Sequence, residues 1–384
     1  MLHNESMDEI RIVEVKNKAQ LRKFVDLPNR MYKDVPQFVP AFYGDDLADW
    51  DKEKNPAFQY CEARAFLAYR GDEIVGRIGA IISHAANRKW NTKRMRFTQV
   101  DFIDDPKVSS LLFETVENWA REKGCDEVHG PLGFCDLDRE GMLVEGFDRQ
   151  SLFITYYNHP YYPEHLARLG YVKDVDWVEF KIQVPKEGDK SFERVSRLAA
   201  MIAERGKFHK AQITKASQFK PYIRKVFELV NVAYADLYGV VELNPAQIEK
   251  YADKFLPLVD PDYCCLVLDE HEDLVGFGVC CPSVDEAIKK SCGKLFPVGW
   301  IRVLRALKKS SFVDLLLIAV RPELQNKGIN AIILDHVMKC CIKNGITHAE
   351  SGPQLELNYK INSQWKGFDI EQHKRRRCFV KKLQ

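Results

Sequence analysis

The sequence predicts an α/β protein made of two tandem copies of one unit, each with a mixed β-sheet and helices on both faces. Three repeated features lead to this prediction. Two segments with the pattern of β-hairpins share a Val-Gly pair, two amphipathic helices share one apolar stripe, and both helices lead into a short strand that ends in Gly-Pro. Such a repeated order of elements indicates a duplicated unit.

The hairpins come first in each copy. Residues 66–80 are FLAYRGDEIVGRIGA, and residues 266–280 are LVLDEHEDLVGFGVC. In each segment, two runs of strand-forming residues flank a charged turn, which is the pattern of a β-hairpin. The second strand of each hairpin carries the Val-Gly pair at the same place (Val75-Gly76 and Val275-Gly276).

The repeated helices lie in residues 108–131 and 329–353. Each ends at a glycine, Gly124 or Gly345, which suits a left-handed C-cap. Each continues into a short strand that ends in Gly-Pro. The apolar residues at helical spacing are Val108, Leu111, Leu112, Val116, Trp119 and Ala120 in the first copy, and Ile329, Ile332, Ile333, Val337, Cys340 and Cys341 in the second.

The copies extend over about residues 10–185 and 207–384. Each has the order strand, helical region, hairpin, strand, helix, strand, helix and hairpin-like end. The segments LARLGYVKDVDWVEFKIQV and SQWKGFDIEQHKRRRCFVKKL close the first and second copies. We therefore predict an N-terminal domain at 1–186, a helical linker at 187–206 and a C-terminal domain at 207–384.

The composition narrows the functional classes. The 384 residues carry a net charge of +2, far less basic than a dedicated nucleic-acid binder. The eleven cysteines include adjacent pairs in apolar runs and no CxxC spacing, so we expect neither a disulfide scaffold nor a metal site. The polar start and the absence of an apolar run near the roughly 20 residues of a membrane span favour the cytoplasm.

The loop QNKGIN, residues 325–330, lies between the central strand and the repeated helix of the second copy. The N-terminus of a helix has unpaired N–H groups and a partial positive charge, so it favours an anion. A glycine in the loop lets the backbone approach that anion closely. A plain strand-to-helix connection is the alternative.

The order of elements and this loop resemble the GNAT acyltransferase superfamily, whose cofactor loop has the pattern Q/R-x-x-G-x-G/A. Residues Gln325 to Asn330 follow the pattern, except that Asn330 stands where the family has glycine or alanine. The stretches EGMLVEGFD, YYNHPYYPEHLARLGY and GKLFPVGWIRVLRALKK are similar to bacterial tandem-GNAT proteins. The resemblance implies two tandem GNAT folds and an N-acyltransferase that uses acetyl-CoA or another acyl-CoA.

The resemblance also implies where CoA binds. In GNAT folds the pyrophosphate lies on the loop and helix, and pantetheine lies where the central strand and the next strand separate. An asparagine near the position of Asn358 often contacts the cofactor. The cofactor-binding residues implied in this sequence are Ile318, Ala319, Val320, Gln325, Asn326, Lys327, Gly328, Ile329, Asn330 and Asn358.

The first copy lacks the cofactor loop. Six residues separate Pro322 from Ile329 in the second copy, whereas only Lys107 separates Pro106 from Val108. We therefore assign acyl-CoA to the C-terminal domain, and a structural or acceptor-binding role to the N-terminal domain.

Three residues on or after the strand that follows the helix are candidates for the catalytic base: Glu350, His348 and Glu356. Glu350 lies in an apolar strand, where loss of water raises the pKa of a carboxyl group. His348 lies on the same strand face. Each has the alternative of an ordinary strand residue or ion-pair partner. The tyrosine acid of many GNAT enzymes has no match here, and Ser363 is nearest to its place.

Two inserts bear on the acceptor. The segment from Phe134 to His165 combines acidic and aromatic residues, which suits a cationic amine or a packed surface loop. Residues 284–310 predict a basic amphipathic helix that lies on an anionic membrane, covers a lipid groove or packs against the first domain. Its apolar face consists of Trp300, Val303, Leu304 and Leu307.

The leading functional hypothesis is a cytoplasmic, CoA-dependent N-acyltransferase for a small or medium primary amine. A variant keeps the chemistry but uses a lipidic acyl chain or a long-chain amine, with peripheral membrane contact through 284–310. A hypothesis from another class is a CoA-binding module without catalysis. We expect no nucleic-acid partner.

Overall fold

The computed structural model describes residues 9–365 and 367–384, and it divides into two compact units. Unit 1 extends through Val178 and also includes Ala287–Trp300 and Lys374–Gln384. Unit 2 consists of Glu179–Glu286 and Ile301–His373.

The strands are numbered in the order in which they occur along the chain. They are β1 (Ile10–Glu14), β2 (Cys61–Arg70), β3 (Glu73–Ser83), β4 (Arg94–Phe102), β5 (Glu127–Gly130), β6 (Met142–Glu145), β7 (Val172–Gln183), β8 (His209–Lys210), β9 (Cys264–Leu268), β10 (Leu274–Pro282), β11 (Phe312–Val320), β12 (His348–Ser351), β13 (Gln354–Leu355) and β14 (Ile370–Lys382).

The helices connect and flank these strands. They are α1 (Lys18–Met31), α2 (Tyr43–Asp49), α3 (His84–Trp90), α4 (Pro106–Glu122), α5 (Tyr161–Arg168), α6 (Lys190–Gly206), α7 (Lys220–Ala233), α8 (Pro245–Phe255), α9 (Asp285–Lys289), α10 (Gly299–Lys309), α11 (Ile329–Lys343) and α12 (Tyr359–Asn362). In the described part of the chain, none of these helices has the length and apolar character that a membrane span requires.

Each unit has a mixed sheet with the same pattern. In unit 1 the order is β1-β2-β3-β4-β5-β14, and only the β4–β5 pair is parallel. In unit 2 the order is β8-β9-β10-β11-β12-β7, and only the β11–β12 pair is parallel. The α/β fold predicted from the sequence is therefore confirmed.

In each unit, the strand beside the parallel pair comes from the segment that was expected to close the other copy. Residues 181–183 of β7, expected to close the first copy, pair with β12 in unit 2. Residues 379–382 of β14, expected to close the second copy, pair with β5 in unit 1. The two closing segments have the same pattern of residues, so the sequence does not reveal this exchange.

The shared Val-Gly pairs have one structural reason. A Cβ on Gly76 would lie 2.8 Å from Cδ1 of Leu112 in α4, and a Cβ on Gly276 would lie 3.0 Å from Cγ2 of Ile329 in α11. In both units glycine lets the repeated helix lie close to the strand beneath it.

Helix α6 belongs to the core of unit 2, although the sequence suggests a linker there. Its Ala199 is buried, and Ile202 packs against the cluster that includes Ile332 of α11. The opposite face of the same sheet is covered by α7, where Phe277 and Ala319 are buried with Leu229. The central strand β11 thus lies between helices on both faces.

The basic run near the C-terminus is not an exposed strand face. Arg376 is fully buried in unit 1. Arg375 and Arg377 both bind the carboxylate of the buried Asp176, which neutralises part of their charge. Alternate side chains of β14 therefore point into the core.

Candidate functional site

The central feature of unit 2 is a gap in its sheet. Strands β11 and β12 pair in parallel from Phe312–His348 to Leu315–Ser351. The last bond across them runs from the Gly352 N–H to the Leu315 carbonyl, at 3.2 Å. Strand β11 continues to Val320 in register with β10, while its next three residues beyond Leu315 are only half-buried. The sheet therefore opens on the side of β11 that faces away from β10.

The register fixes which backbone groups point into this gap. The Arg321 N–H donates to the Val275 carbonyl at 2.9 Å, so alternate residues of β11 bond β10. Ile318 and Val320 face the other way. Their carbonyls accept from the Tyr234 hydroxyl at 2.9 Å and from the Gln325 amide at 3.4 Å. Among the described residues, their N–H groups have no acceptor.

The loop after β11 leads directly to a helix N-terminus. Gly328 adopts a left-handed φ of 83° and caps α11 without a side chain. Asn326 also has a positive φ, 67°, and both Asn326 and Lys327 are exposed. No described residue accepts from the N–H groups of Gly328, Ile329 or Asn330. These open donors and the helix dipole favour an anion at this position.

The structure gives a different reason for Gly328 than the sequence does. A Cβ at this position would lie 2.3 Å from Cδ1 of Ile202 in α6, and the backbone is left-handed. Glycine is therefore required by the backbone conformation and by packing against α6. Close approach of an anion is not needed to explain it.

Glu350 lies between two imidazoles at the edge of the parallel pair. Its carboxylate is 3.7 Å from His348 Nε2 and 2.8 Å from His373 Nε2, and the residue is 8% exposed. Because Glu350 pairs with Asp314, it lies one residue before the strands separate. Of the three candidate bases, it is the one on β12 nearest to the gap.

His348 is held in place by both of its neighbours. The ring stacks on Phe312 with 4.8 Å between centroids, and its Nδ1 lies 2.8 Å from the Thr347 hydroxyl. Burial, together with the positive charge of Lys181, lowers the pKa of His348 below its usual value. The imidazole is therefore neutral at neutral pH, a form that can accept a proton.

The remaining candidates lie apart from this cluster. Glu356 is in the turn after β13, where its carbonyl accepts from the Asn362 side chain at 3.2 Å. Asn358 accepts from the Ile361 N–H at 3.4 Å and so caps the short helix α12. The side chain of Ser363 lies outside the described residues.

Sequence reasoning missed His373. It lies in the first part of β14, in the stretch IEQHKRRR. The contact with Glu350 depends on how two strands lie in the sheet, and residue spacing carries no such information. The sequence signal for this residue was a histidine a few positions after Gly367-Phe368, in the segment that closes the second copy.

Unit 1 has the same gap, but tyrosines fill it. Its parallel pair, β4–β5, runs from Arg94–Glu127 to Arg96–His129, and the Ile103 N–H donates to Val75 at 3.1 Å. By the same alternation, Phe102 faces the gap.

Both backbone groups of Phe102 are bonded there. Its N–H donates to the Tyr162 hydroxyl at 2.9 Å, and its carbonyl accepts from Tyr161 at 2.7 Å. The Tyr162 and Phe102 rings stack with centroids 4.2 Å apart. Tyr32 lies 2.8 Å from the Tyr162 hydroxyl and donates to Asp101, which also binds Arg77 at 2.6 Å. All of these groups are buried except Tyr161, which is partly buried.

In unit 1, the N-terminus of α4 is capped by a side chain. Asp105 caps α4 by accepting from the Lys107 N–H at 2.8 Å, and its carboxylate forms an ion pair with Arg70. The chain thus supplies its own anion where unit 2 leaves N–H groups open.

The acidic and aromatic insert of unit 1 is a packed part of that unit. The Asp138 carboxylate accepts from the Phe134 N–H at 2.8 Å. Arg139 pairs with Asp46 and lies 4.7 Å from the centroid of Tyr156. Burial raises the pKa of Asp136 to about 6 and holds that of Glu140 well above its usual value.

In segment 284–310, the exposed apolar residues are not the same set that the sequence predicted for the apolar face of the helix. Val303 is buried and Leu307 is half-buried, so these two residues do not face solvent. Trp300 and Leu304 are exposed, as are three apolar residues just before the helix, Leu295, Phe296 and Val298. The exposed apolar surface therefore lies around the start of α10.

Residues 226–358 match the acetyltransferase (GNAT) family. This stretch runs from α7 to the turn after β13 and contains the gap, the loop and the Glu350 cluster. A solved structure described as a tandem GNAT protein from the clavulanic acid biosynthesis pathway, without AcCoA, has a TM-score of 0.55 and 12% identity, covering 97% of this chain and 98% of that chain. That structure shows the fold.

Residues 226–358 therefore carry the match to the GNAT acetyltransferase family, and the chain has the fold of a tandem GNAT protein. Proteins of this family generally bind acetyl-CoA or another acyl-CoA. The open N–H groups in the gap and at α11 fit such a group.

Two curated proteins are similar over most of the chain. Protein YghO of Escherichia coli K12 is 26% identical over 373 residues, covering 96% of this chain and 94% of that protein. A bacterial ceramide synthase of Caulobacter vibrioides is 26% identical over 327 residues, covering 83% of each chain.

Proposed function

We propose that the protein transfers an acyl group from acyl-CoA to the primary amine of a long-chain acceptor, with the acyl-CoA held by unit 2. The observation that carries this proposal is the gap beside β11, which has open N–H groups at Ile318 and Val320 and leads into the open N-terminus of α11. No described feature of unit 1 offers the same combination.

The loop would bind the phosphate end of CoA. The N–H groups of Gly328, Ile329 and Asn330 converge at a helix N-terminus, which favours a pyrophosphate. The exposed Lys327 adds positive charge beside them. Asn330 does not block this role, because its backbone N–H is the group that donates.

The gap would bind the thioester end. The N–H groups of Ile318 and Val320 are fixed by the β10–β11 register, so they need no rearrangement to donate to an oxygen atom. A fixed donor that meets a developing negative charge stabilises the transition state of acyl transfer. The thioester supplies the acyl group and the thiolate leaving group.

Glu350 would accept the proton of the attacking amine, directly or through water. It is the candidate nearest to the gap, and His373 Nε2 lies 2.8 Å from its carboxylate. The neutral His348 is the alternative base on the same strand face. A base in this position lets the amine attack as a neutral nucleophile.

The long-chain acceptor is favoured by a relative. Ceramide is the amide of a fatty acid with a long-chain amino alcohol, so a ceramide synthase forms an N-acyl bond to a lipidic amine. The relative with that name covers 83% of this chain. Exposed apolar residues around the start of α10 are consistent with a lipid-facing protein.

CoA release measures this function directly. The protein would be mixed with acetyl-CoA or a long-chain acyl-CoA and with paired amino alcohols that differ only in chain length. We expect thiol release with the long-chain member of each pair, and none from Glu350→Gln. Turnover with only the short-chain member would favour the small-amine alternative. CoA binding without turnover of any amine would favour the non-catalytic module.

A further inference from the structure

Five large apolar side chains cluster in exposed positions between residues 295 and 304. Phe296 is 80% exposed, Leu304 50%, Val298 47%, Trp300 44% and Leu295 39%. We call the four that belong to unit 1, Leu295, Phe296, Val298 and Trp300, the apolar tip. Contiguous exposed apolar side chains usually mark an interaction surface.

The segment that carries the tip is fixed to unit 1. The Tyr43 N–H donates to the Gly293 carbonyl at 2.9 Å, and the Asn29 side chain donates to the Cys292 carbonyl at 3.3 Å. Lys289 donates to the Pro36 carbonyl at 2.7 Å. The segment is therefore anchored to unit 1, while the apolar side chains of the tip remain exposed.

The tip is also folded on itself. The Trp300 N–H donates to the Leu295 carbonyl at 2.8 Å, and the indole Nε1 donates to the Pro297 carbonyl at 3.1 Å. An anchored, internally bonded turn holds its apolar side chains outward without a large entropic cost on binding.

The charged residues of the segment that carries the tip are all basic. Between Ala287 and Ser310 the sequence contains no Asp or Glu. Lys290 and Lys294 are exposed, and Lys294 Nζ lies 3.9 Å from the Asp26 carboxylate and 5.0 Å from the centroid of the Tyr43 ring. The basic residues of this segment that belong to unit 1 are Lys289, Lys290 and Lys294.

We propose that the apolar tip inserts into the surface of an anionic lipid bilayer, with Lys290 and Lys294 of the same unit against the lipid headgroups. Projecting apolar side chains among cations match a surface that is anionic outside and apolar beneath. A Trp whose Nε1 is already bonded is suited to the interface between these layers.

This docking would hold the protein at the membrane that contains a lipidic acceptor, and in that respect it rests on the function proposed above. Docking itself involves no turnover. It can therefore be measured on Glu350→Gln, whose chemistry is disabled.

Vesicle flotation tests the docking. Vesicles of phosphatidylcholine would be compared with vesicles that also contain phosphatidylglycerol, at low and high salt. We expect binding only to the anionic vesicles, and weaker binding at high salt. Phe296→Ser should lower the partition coefficient at least about tenfold, because an aromatic side chain no longer leaves water.

A matched pair of substitutions separates docking from folding. Val298→Ser changes the tip, whereas Val172→Ser changes an exposed valine of unit 1 that lies outside the tip. We expect only Val298→Ser to weaken flotation, with the melting temperature of both variants unchanged. Equal flotation of the two variants, or no binding to either vesicle, would overturn the proposal.

The two proposals fail in different ways. If the protein did not float with vesicles but still turned over a detergent-dispersed acceptor, only the docking proposal would be contradicted. If the protein floated with vesicles but turned over no amine, only the proposed function would be contradicted.

Discussion

In both units two neighbouring strands pair in parallel for a few residues and then separate, and the last residues of the central strand point backbone groups into the space. In unit 1 the Phe102 N–H and carbonyl are bonded by Tyr162 and Tyr161. In unit 2 the Ile318 and Val320 N–H groups have no acceptor among the described residues. The same backbone arrangement is thus filled by side chains of the core in unit 1, whereas in unit 2 its N–H groups remain available to a ligand.

The helix ends repeat this difference. Asp105 places a carboxylate at the N-terminus of α4 and neutralises Arg70, whereas Gly328 leaves the first N–H groups of α11 open. Duplication therefore preserved the fold, while a few side chains decide which copy can hold an anion. Four substitutions test this contrast, starting with the largest expected effect.

The first concerns Glu350. Two residues before the Gly-Pro pair, unit 2 has Glu350 and unit 1 has Val128. Glu350→Gln keeps the shape of the side chain but removes its basicity, so we expect turnover to fall about 10²–10⁴-fold. CoA affinity should stay nearly unchanged by calorimetry.

Glu356→Gln and His348→Ala are the controls for this assignment. We expect Glu356→Gln to remain active, since that residue lies in the turn after β13. Normal turnover by Glu350→Gln together with a dead His348→Ala would move the role of base to His348.

The second concerns the helix end of unit 2. Gly328→Val forces a branched side chain onto a φ of 83° and displaces the open N–H groups. CoA affinity should fall at least about tenfold, which corresponds to about 1.4 kcal/mol. Gly345→Val is the matched control, because it strains a φ of 69° at the other end of the same helix. We expect that control to lose stability and keep its CoA affinity; equal losses of affinity would reject the loop as the binding site.

The third concerns the closed gap of unit 1. Tyr162→Phe keeps the ring that stacks on Phe102 but leaves the buried Phe102 N–H without an acceptor. We expect a loss of about 1–3 kcal/mol in unfolding free energy and no change in CoA affinity. The exposed Tyr359→Phe should be neutral in both measurements. A stable Tyr162→Phe variant would show that this bond does not hold the gap closed.

The fourth and smallest effect depends on pH. The pKa of Asp136, in the insert of unit 1, is about 6 when folded and about 3.9 when unfolded. Its stabilising protonation is complete below about pH 4 and is lost as the pH rises through about 6. Asp136→Asn stays neutral, so its melting temperature should rise relative to wild type across this window.

The size of that rise follows from domain size. Each kcal/mol is about 2–4 °C in melting temperature for a unit of this size. Asp148→Asn, at an exposed carboxyl group of the same insert, is the control. A difference between Asp136→Asn and wild type that stayed constant from pH 4 to 7 would contradict the raised pKa.

The repeated pattern of the sequence was sufficient to predict the fold. The shared helix stripes are largely buried, and α11 begins at Ile329, directly after the glycine of the predicted loop. These features depend on residues close together in sequence, so spacing reveals them. Cofactor binding by the loop remains a prediction.

The contacts that define the site depend on residues far apart in sequence. His373 reaches Glu350 only through the arrangement of strands in unit 2. Tyr161 and Tyr162 suggested a surface for a cationic amine, but their hydroxyls bond the backbone of β4. Val303 shares a helical stripe with Trp300, yet it is buried.

The central claim is that only one of the two gaps accepts CoA. Calorimetric titration of the full chain with CoA tests it most directly, since it counts sites without requiring an acceptor. We predict one site per chain, which Gly328→Val weakens and Tyr162→Phe leaves intact. Two sites per chain, or one site that Gly328→Val leaves unchanged, would contradict the claim.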